Sequence, residues 1–217
     1  MPHYRSISAR PQVLAAEIAA GHAETSCDWH NASMRVERCF AFADLCGFTR
    51  FSDFHGDDEA VRVLASFRES VREVATNHGI RVAKWLGDGA MLVGTDIASI
   101  AGAVVELLDR YELRDAHLPV RIGVAAGPVI VFEGDDYTGS CINLAARLCE
   151  AAEPNEVLAT HDVGTLSPFG IEVRDAGTRS IPGFSVPVEV VSLSMLRPVV
   201  NENGVVPVVQ PGGIGRS

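Results

Sequence analysis

Gly87-Asp88-Gly89 interrupts two short apolar runs, Arg81–Leu86 and Ala90–Val93, and leaves that stretch of chain little choice but a β-hairpin. Glycines on both sides of an acidic residue supply the backbone freedom of a tight reversal, and the flanking runs are β-prone. About forty residues earlier a second apolar strand, Arg38–Asp44, ends in an acid and runs into Leu45-Cys46-Gly47-Phe48-Thr49. Adjacent strands of one sheet would bring Asp44 and Asp88 together at the sheet edge. Two carboxylates so placed can hold hard divalent cations that act on a phosphate ester. Each acid also has an ordinary use, since Asp44 could cap the helix starting near Phe48 and Asp88 could be a turn former. Gly47, Phe48 and Thr49 offer backbone N–H groups at a helix N-terminus, a natural phosphate cradle that turn chemistry alone does not require.

The surrounding pattern alternates. A helix is predicted over Asp58–Asn77, with Val61, Val63, Leu64, Phe67, Val71, Val74 and Ala75 as its apolar face, and His78-Gly79 stops it. A second helix follows over Ile97–Tyr111, then strands over Pro119–Ala126 and Val129–Phe132, a turn at Glu133–Gly139 and a helix over Ser140–Ala152. Strands at Glu156–Ala159, Ile171–Asp175 and Val186–Leu193 close the pattern. This order is that of an α+β, ferredoxin-like βαββαβ sandwich with additional C-terminal strands. Residues 1–36 read as an N-terminal extension with a short helix over Pro11–His22, residues 37–194 as the catalytic unit, and residues 195–217 as a Pro/Gly/Val-rich disordered tail.

At 217 residues, one main domain is the natural size. A formal charge of −10 and no basic stripe exclude a general nucleic-acid binder. The same charge would repel a nucleoside triphosphate unless metal ions and a few cations reverse the local field. No apolar stretch is long enough to span a bilayer and no signal-peptide layout is visible, so a cytoplasmic protein is expected. The five cysteines lack C-x-x-C spacing, which argues against a zinc site or disulfide framework. Cys46 and Cys141 stand out only because each lies close to a candidate site residue.

Asn143 and Arg147, four apart on one helix face, can reach a single ligand, although an exposed polar face with no role has the same appearance. Together with the two acidic turns they complete a set. Phe-Ala-Asp-Leu-Cys-Gly-Phe-Thr, Lys-Trp-Leu-Gly-Asp-Gly, Val-Arg-Ile-Gly-Val-Ala-Ala-Gly and Asp-Tyr-Thr-Gly-Ser-Cys-Ile-Asn-Leu-Ala-Ala-Arg-Leu resemble, in order, the signatures of class III nucleotidyl cyclases. The resemblance covers residues 38–192. It implies that Asp44 and Asp88, with the Leu45 carbonyl, hold two divalent ions, Mg2+ or Mn2+. It further implies that Lys84 and Asp136 read the purine, Arg121 binds the triphosphate, Asn143 orients the ribose and Arg147 stabilises the transition state. A head-to-tail homodimer with shared sites follows from the family pattern, and the first helix is expected to contact the dimer or an unidentified regulator.

The base-reading pair has its own chemistry. Lysine only donates and an ionised aspartate only accepts, which suits N1 and the 6-amino group of adenine and mismatches guanine at both points. ATP is therefore the expected substrate and an adenylyl cyclase the expected activity. One departure stands against it: Arg179-Ser180-Ile181-Pro182-Gly183 carries proline where the family has a phosphate-gripping lysine, with Arg179 as the neighbouring cation able to substitute. A catalytically weak or inactive ATP-binding sensor is the alternative. A diguanylate cyclase would need a different turn at Leu86–Ala90, and a polymerase would need a basic track.

Overall fold

The computed structural model describes residues 35–113, 118–132, 136–197, 199–201 and 204–206. The helix expected over Pro11–His22 lies outside the described residues. In chain order the elements are β1 (Arg35–Leu45), α1 (Phe48–His55), α2 (Asp57–Asn77), β2 (Arg81–Leu86), β3 (Gly89–Gly94), α3 (Ile97–Leu113), β4 (Val120–Phe132), β5 (Asp136–Thr138) and α4 (Ser140–Ala151). They continue with β6 (Val157–Thr160), α5 (His161–Thr165), β7 (Ile171–Arg179), β8 (Val188–Met195), β9 (Val199–Asn201) and β10 (Gly204–Val206).

One sheet runs β2-β3-β1-β4-β6-β8-β7, with β5 added against β4. Its first four strands have the ferredoxin-like order, with β1 and β3 between β2 and β4. Pairing is antiparallel except between β4 and β6, whose parallel step is made by a crossover through α4. The alternation of a strand sorts β1 between two layers. Cys39, Ala41, Ala43 and Leu45 enter the main core against α2 and α3, where Phe67, Val71, Val74, Ile100 and Leu107 are fully buried. Phe40 faces the other way, into a smaller cluster with Met91, Val93, Ala125, Cys141 and Ala145. There α4 lies so close to β4 that a Cβ at Gly123 would stand 2.1 Å from the Cys149 nitrogen and 2.2 Å from the Ala145 oxygen. Only glycine fits that crossing.

Several expectations are corrected. The two strands expected around Gly127-Pro128 are one, because β1 pairs with β4 without a break from Arg35↔Ile130 to Leu45↔Val120. Pro128 is tolerated because the opposite edge of β4 is unpaired there, so its missing N–H costs no ladder bond. The turn expected over Glu133–Gly139 contains β5, and α5 was not anticipated. Strand β7 runs on to Arg179 through a bulge between Asp175 and Thr178. Val61, assigned to the apolar face of α2, is 64% exposed, since it falls off the stripe through Val63, Phe67, Val71 and Val74. Within the tail expected to be disordered, β9 and β10 pair antiparallel, with Val199 opposite Val206 and Val200 opposite Val205. Among the described residues, no helix is long and apolar enough to cross a membrane.

Candidate active site

Asp44 and Asp88 are brought together by strand register. Asp44 on β1 is paired with Gly89 on β3, one residue past Asp88 in the β2–β3 turn. A Cβ at Gly89 would stand 3.3 Å from the Asp44 Oδ1 atom, so the missing side chain leaves room for that carboxylate. Burial, and then the charge of Asp44, raise the Asp88 carboxyl above its usual pKa. A cation beside Asp88 would offset that penalty. Among the described residues no group of three His, Cys, Asp or Glu side chains could hold a metal. The remaining oxygens would have to come from a carbonyl such as that of Leu45, from water and from phosphate. An oxygen-only set of this kind suits a hard divalent cation.

Arg121 on β4 reaches the same point. Its Nη2 and Nε donate to Asp44 Oδ2 at 2.8 and 3.1 Å, and its Nη1 donates to the Glu150 carbonyl at 3.2 Å. Burial works against the guanidinium charge, but the hydrogen bond and attraction from Asp44 outweigh it and raise the pKa. Helix α1 starts beside the end of β1, with Gly47 at its N-cap in a left-handed conformation (φ 77°) and no side-chain cap. Asp44 is therefore not the cap of α1, and the N–H groups of Phe48 and Thr49 at its first turn are not capped by any side chain.

Lys84 and Asp136 form a second group. Their side chains meet across the face of the sheet at 2.6 Å (Nζ to Oδ1), from β2 and β5. Sequence reading missed what holds them there. Arg81 donates to the Tyr137 hydroxyl at 3.1 Å and lies over its ring, while Phe40 packs edge-on against that ring. With β5 read as a turn, Tyr137 had no assigned role; its β-prone Asp-Tyr-Thr setting was the available signal.

Asn143 is exposed on α4, and Arg147, one turn on, pairs with Glu150 at 2.6 Å. Arg179, at the end of β7, donates at 3.3 Å to the carbonyl of Ala151, the last residue of α4 and one turn beyond Arg147. The acids and Arg121 thus cluster at the C-terminal end of α4 and Asp136 just before its N-terminus. Ten residues of helix, about 15 Å, separate Ser140 from Glu150. Among the described residues, no hydrogen bond or ion pair joins the acidic group to Lys84 and Asp136. Burial pushes the thiols of Cys46 and Cys141 up, so neither has the environment of a reactive thiolate.

Comparison with known proteins bears on this arrangement. The family model described as the adenylate and guanylate cyclase catalytic domain matches residues 34–193. An uncharacterized protein of Mycobacterium tuberculosis is 34% identical over 158 residues, covering 73% of this chain and 41% of that protein. An adenylate cyclase of Streptomyces coelicolor is 34% identical over 118 residues, covering 54% of this chain and 30% of that protein. The chain therefore spans less than half the length of these relatives. The crystal structure of the adenylyl cyclase CyaB from P. aeruginosa superimposes with a TM-score of 0.65 at 26% identity, over 76% of this chain and 96% of that one.

Proposed function

The chain belongs to the adenylate and guanylate cyclase catalytic domain family, and from that premise we propose that it is an adenylyl cyclase converting ATP to 3′,5′-cyclic AMP and pyrophosphate. The observation that carries ATP over GTP is the Lys84–Asp136 pair, a donor and an acceptor held 2.6 Å apart. Adenine satisfies both by accepting at N1 and donating from its amino group, whereas guanine presents the opposite pattern. A mismatched buried polar group costs about 1–3 kcal/mol, so two mismatches give strong discrimination.

In the proposed reaction the ribose 3′-oxygen attacks the α-phosphorus in line. A new P–O bond forms, the bond to the β-phosphate oxygen breaks, and pyrophosphate leaves while water or a phosphate oxygen takes the hydroxyl proton. Divalent ions held by Asp44, Asp88 and the Leu45 carbonyl would supply Lewis-acid activation of the hydroxyl and charge neutralisation of the leaving group. Arg147 meets the charge that builds on the α-phosphate oxygens, and Asn143 orients the ribose. Arg121 and the Gly47–Thr49 N–H groups bind the phosphate chain. Arg179 on β7, bonded to the carbonyl of Ala151 one turn beyond Arg147, supports the view that an arginine stands in for the lysine lost at Pro182.

The separation of the acidic group from the base-reading pair along α4 supports sites completed by a second copy of the chain. Mixing an Asp44→Ala chain with an Arg147→Ala chain should restore activity, because one site of the mixed dimer keeps every group. Inactive mixtures with proven heterodimer would refute shared sites. Product analysis with Mn2+ and either nucleotide tests the substrate: cyclic AMP from ATP is expected, and equal or faster turnover of GTP overturns the assignment.

A further inference from the structure

We propose that Arg68 on α2 is a positioning residue that braces the Asp88 turn and thereby sets the affinity of the site for divalent cation. This rests on the reading of Asp88 as a metal ligand. The turn needs a brace because β2 is the edge strand of the sheet. Among the described residues only β3 pairs with it, and the β2–β3 register slips by a bulge between Val82 and Lys84. Nothing in the sheet itself fixes the outer side of Gly87-Asp88.

The helix layer supplies what the sheet lacks. Arg68 Nη2 donates to the Gly87 carbonyl at 3.1 Å, nineteen residues away in sequence. Its guanidinium carbon lies 5.1 Å from the centre of the Trp85 ring, the residue two before Gly87. Trp85 packs against the main core, so the brace runs from the buried helix layer to the turn. Gly87 holds φ 65°, and its carbonyl is the acceptor next to the Asp88 peptide. The Arg68 Nε is buried without a hydrogen-bond partner. A methionine or leucine would pack there without that cost, so stacking alone does not account for the arginine. Arg72 lies over the same ring at 5.2 Å but, among the described residues, makes no hydrogen bond to the turn, which makes it a natural control.

A brace of this kind acts on where the Asp88 carboxylate sits relative to Asp44, not on the chemistry of either acid. Loss of a group that orients a metal ligand costs about 10- to 100-fold in metal affinity.

The test is Mn2+ binding to the full chain without nucleotide, by calorimetry or by the electron paramagnetic resonance of free Mn2+, with melting temperature measured alongside. Arg68→Gln and Arg68→Ala should each weaken Mn2+ binding about tenfold, and Arg68→Lys, which keeps a charged donor on a long stem, should recover part of the loss. Arg72→Ala should bind as the wild type does. At saturating Mn2+, KM for ATP in the Arg68 variants should stay near the wild-type value. Asp88→Asn separates the two layers of the reading. If it leaves Mn2+ binding unchanged, the metal assignment itself fails. If it abolishes binding while folded Arg68→Gln and Arg68→Lys bind as the wild type does, Arg68 is not a brace. Equal losses in Arg72→Ala and Arg68→Ala would also overturn it, by assigning the effect to the Trp85 stack. If Arg68→Ala does not fold, Arg68→Gln and Arg68→Lys carry the comparison.

Discussion

The two faces of the central sheet are built from the same strands and do different work. On the face covered by α2 and α3, β1 presents Cys39, Ala41, Ala43 and Leu45, all at most 1% exposed and packed into the main core. On the other face the same strand presents Phe40, Phe42 and Asp44, and α4 covers it incompletely. Asp44, Lys84, Arg121 and Asp136 all belong to that second face. A wholly covered face can carry only apolar side chains, because an unpaired charge there is prohibitive. A half-covered face keeps charges solvated enough to exist and close enough to interact. Apolar packing and interacting charges are thus separated by the two-residue repeat of a strand.

That contrast can be broken by paired substitutions. Asp44→Ala should lower cyclase activity about a thousandfold, ~4 kcal/mol in the barrier, with little change in melting temperature. A large loss of stability with activity retained would invert the roles assigned to the two faces. Leu92→Ala, on the covered face of β3, should do the opposite, costing about 3–4 kcal/mol of stability by opening a cavity while the surviving folded protein keeps its KM. Chemical denaturation and initial rates on the same samples check both.

A smaller effect sharpens the picture of the chemical face. Asp136→Asn keeps the shape of the base-reading pair but adds a donor, and should erode the preference for ATP over GTP about tenfold. Rates with the two nucleotides measure it, and an unchanged ratio would remove Asp136 from base reading.

The smallest effect probes a polar exception at the helix layer. Glu106 on α3 accepts from His78 Nε2 at 2.6 Å and from Asn77 at 3.2 Å, and pairs with Arg110 at 2.7 Å. Burial pushes its carboxyl up, but hydrogen bonds from His78 and Asn77 and the Arg110 charge outweigh it and lower the pKa below 4.5. A lowered carboxyl contributes stability that is present above the ordinary value and is lost as pH falls through the folded one. Glu106→Gln should cost about 1 kcal/mol at neutral pH and flatten the acid limb of the stability curve. Melting temperature between pH 3 and 7 tests this, and parallel curves for the two proteins would count against it.

Much of this architecture was legible in local pattern. The stripe Phe67, Val71 and Val74 announces α2, and Gly87-Asp88-Gly89 announces the β2–β3 turn, because helix period and turn chemistry are settled within a few residues. Where two local signals competed, the pattern misled. Gly127-Pro128 looked like a break, yet continuous pairing along β1 carries β4 through it. The Asp-Tyr-Thr of β5 looked like a turn, yet Tyr137 docks on Phe40 and Arg81.

From its sequence alone the chain determined its helix stripes, its acidic turns and the strand end that carries Asp44. Tertiary structure decided who meets whom: Arg121 with Asp44 across 77 positions, Lys84 with Asp136, and Arg68 with the carbonyl of Gly87. Strand register and the docking of a helix on a sheet arise from contacts between segments distant in the chain, and no local periodicity encodes them.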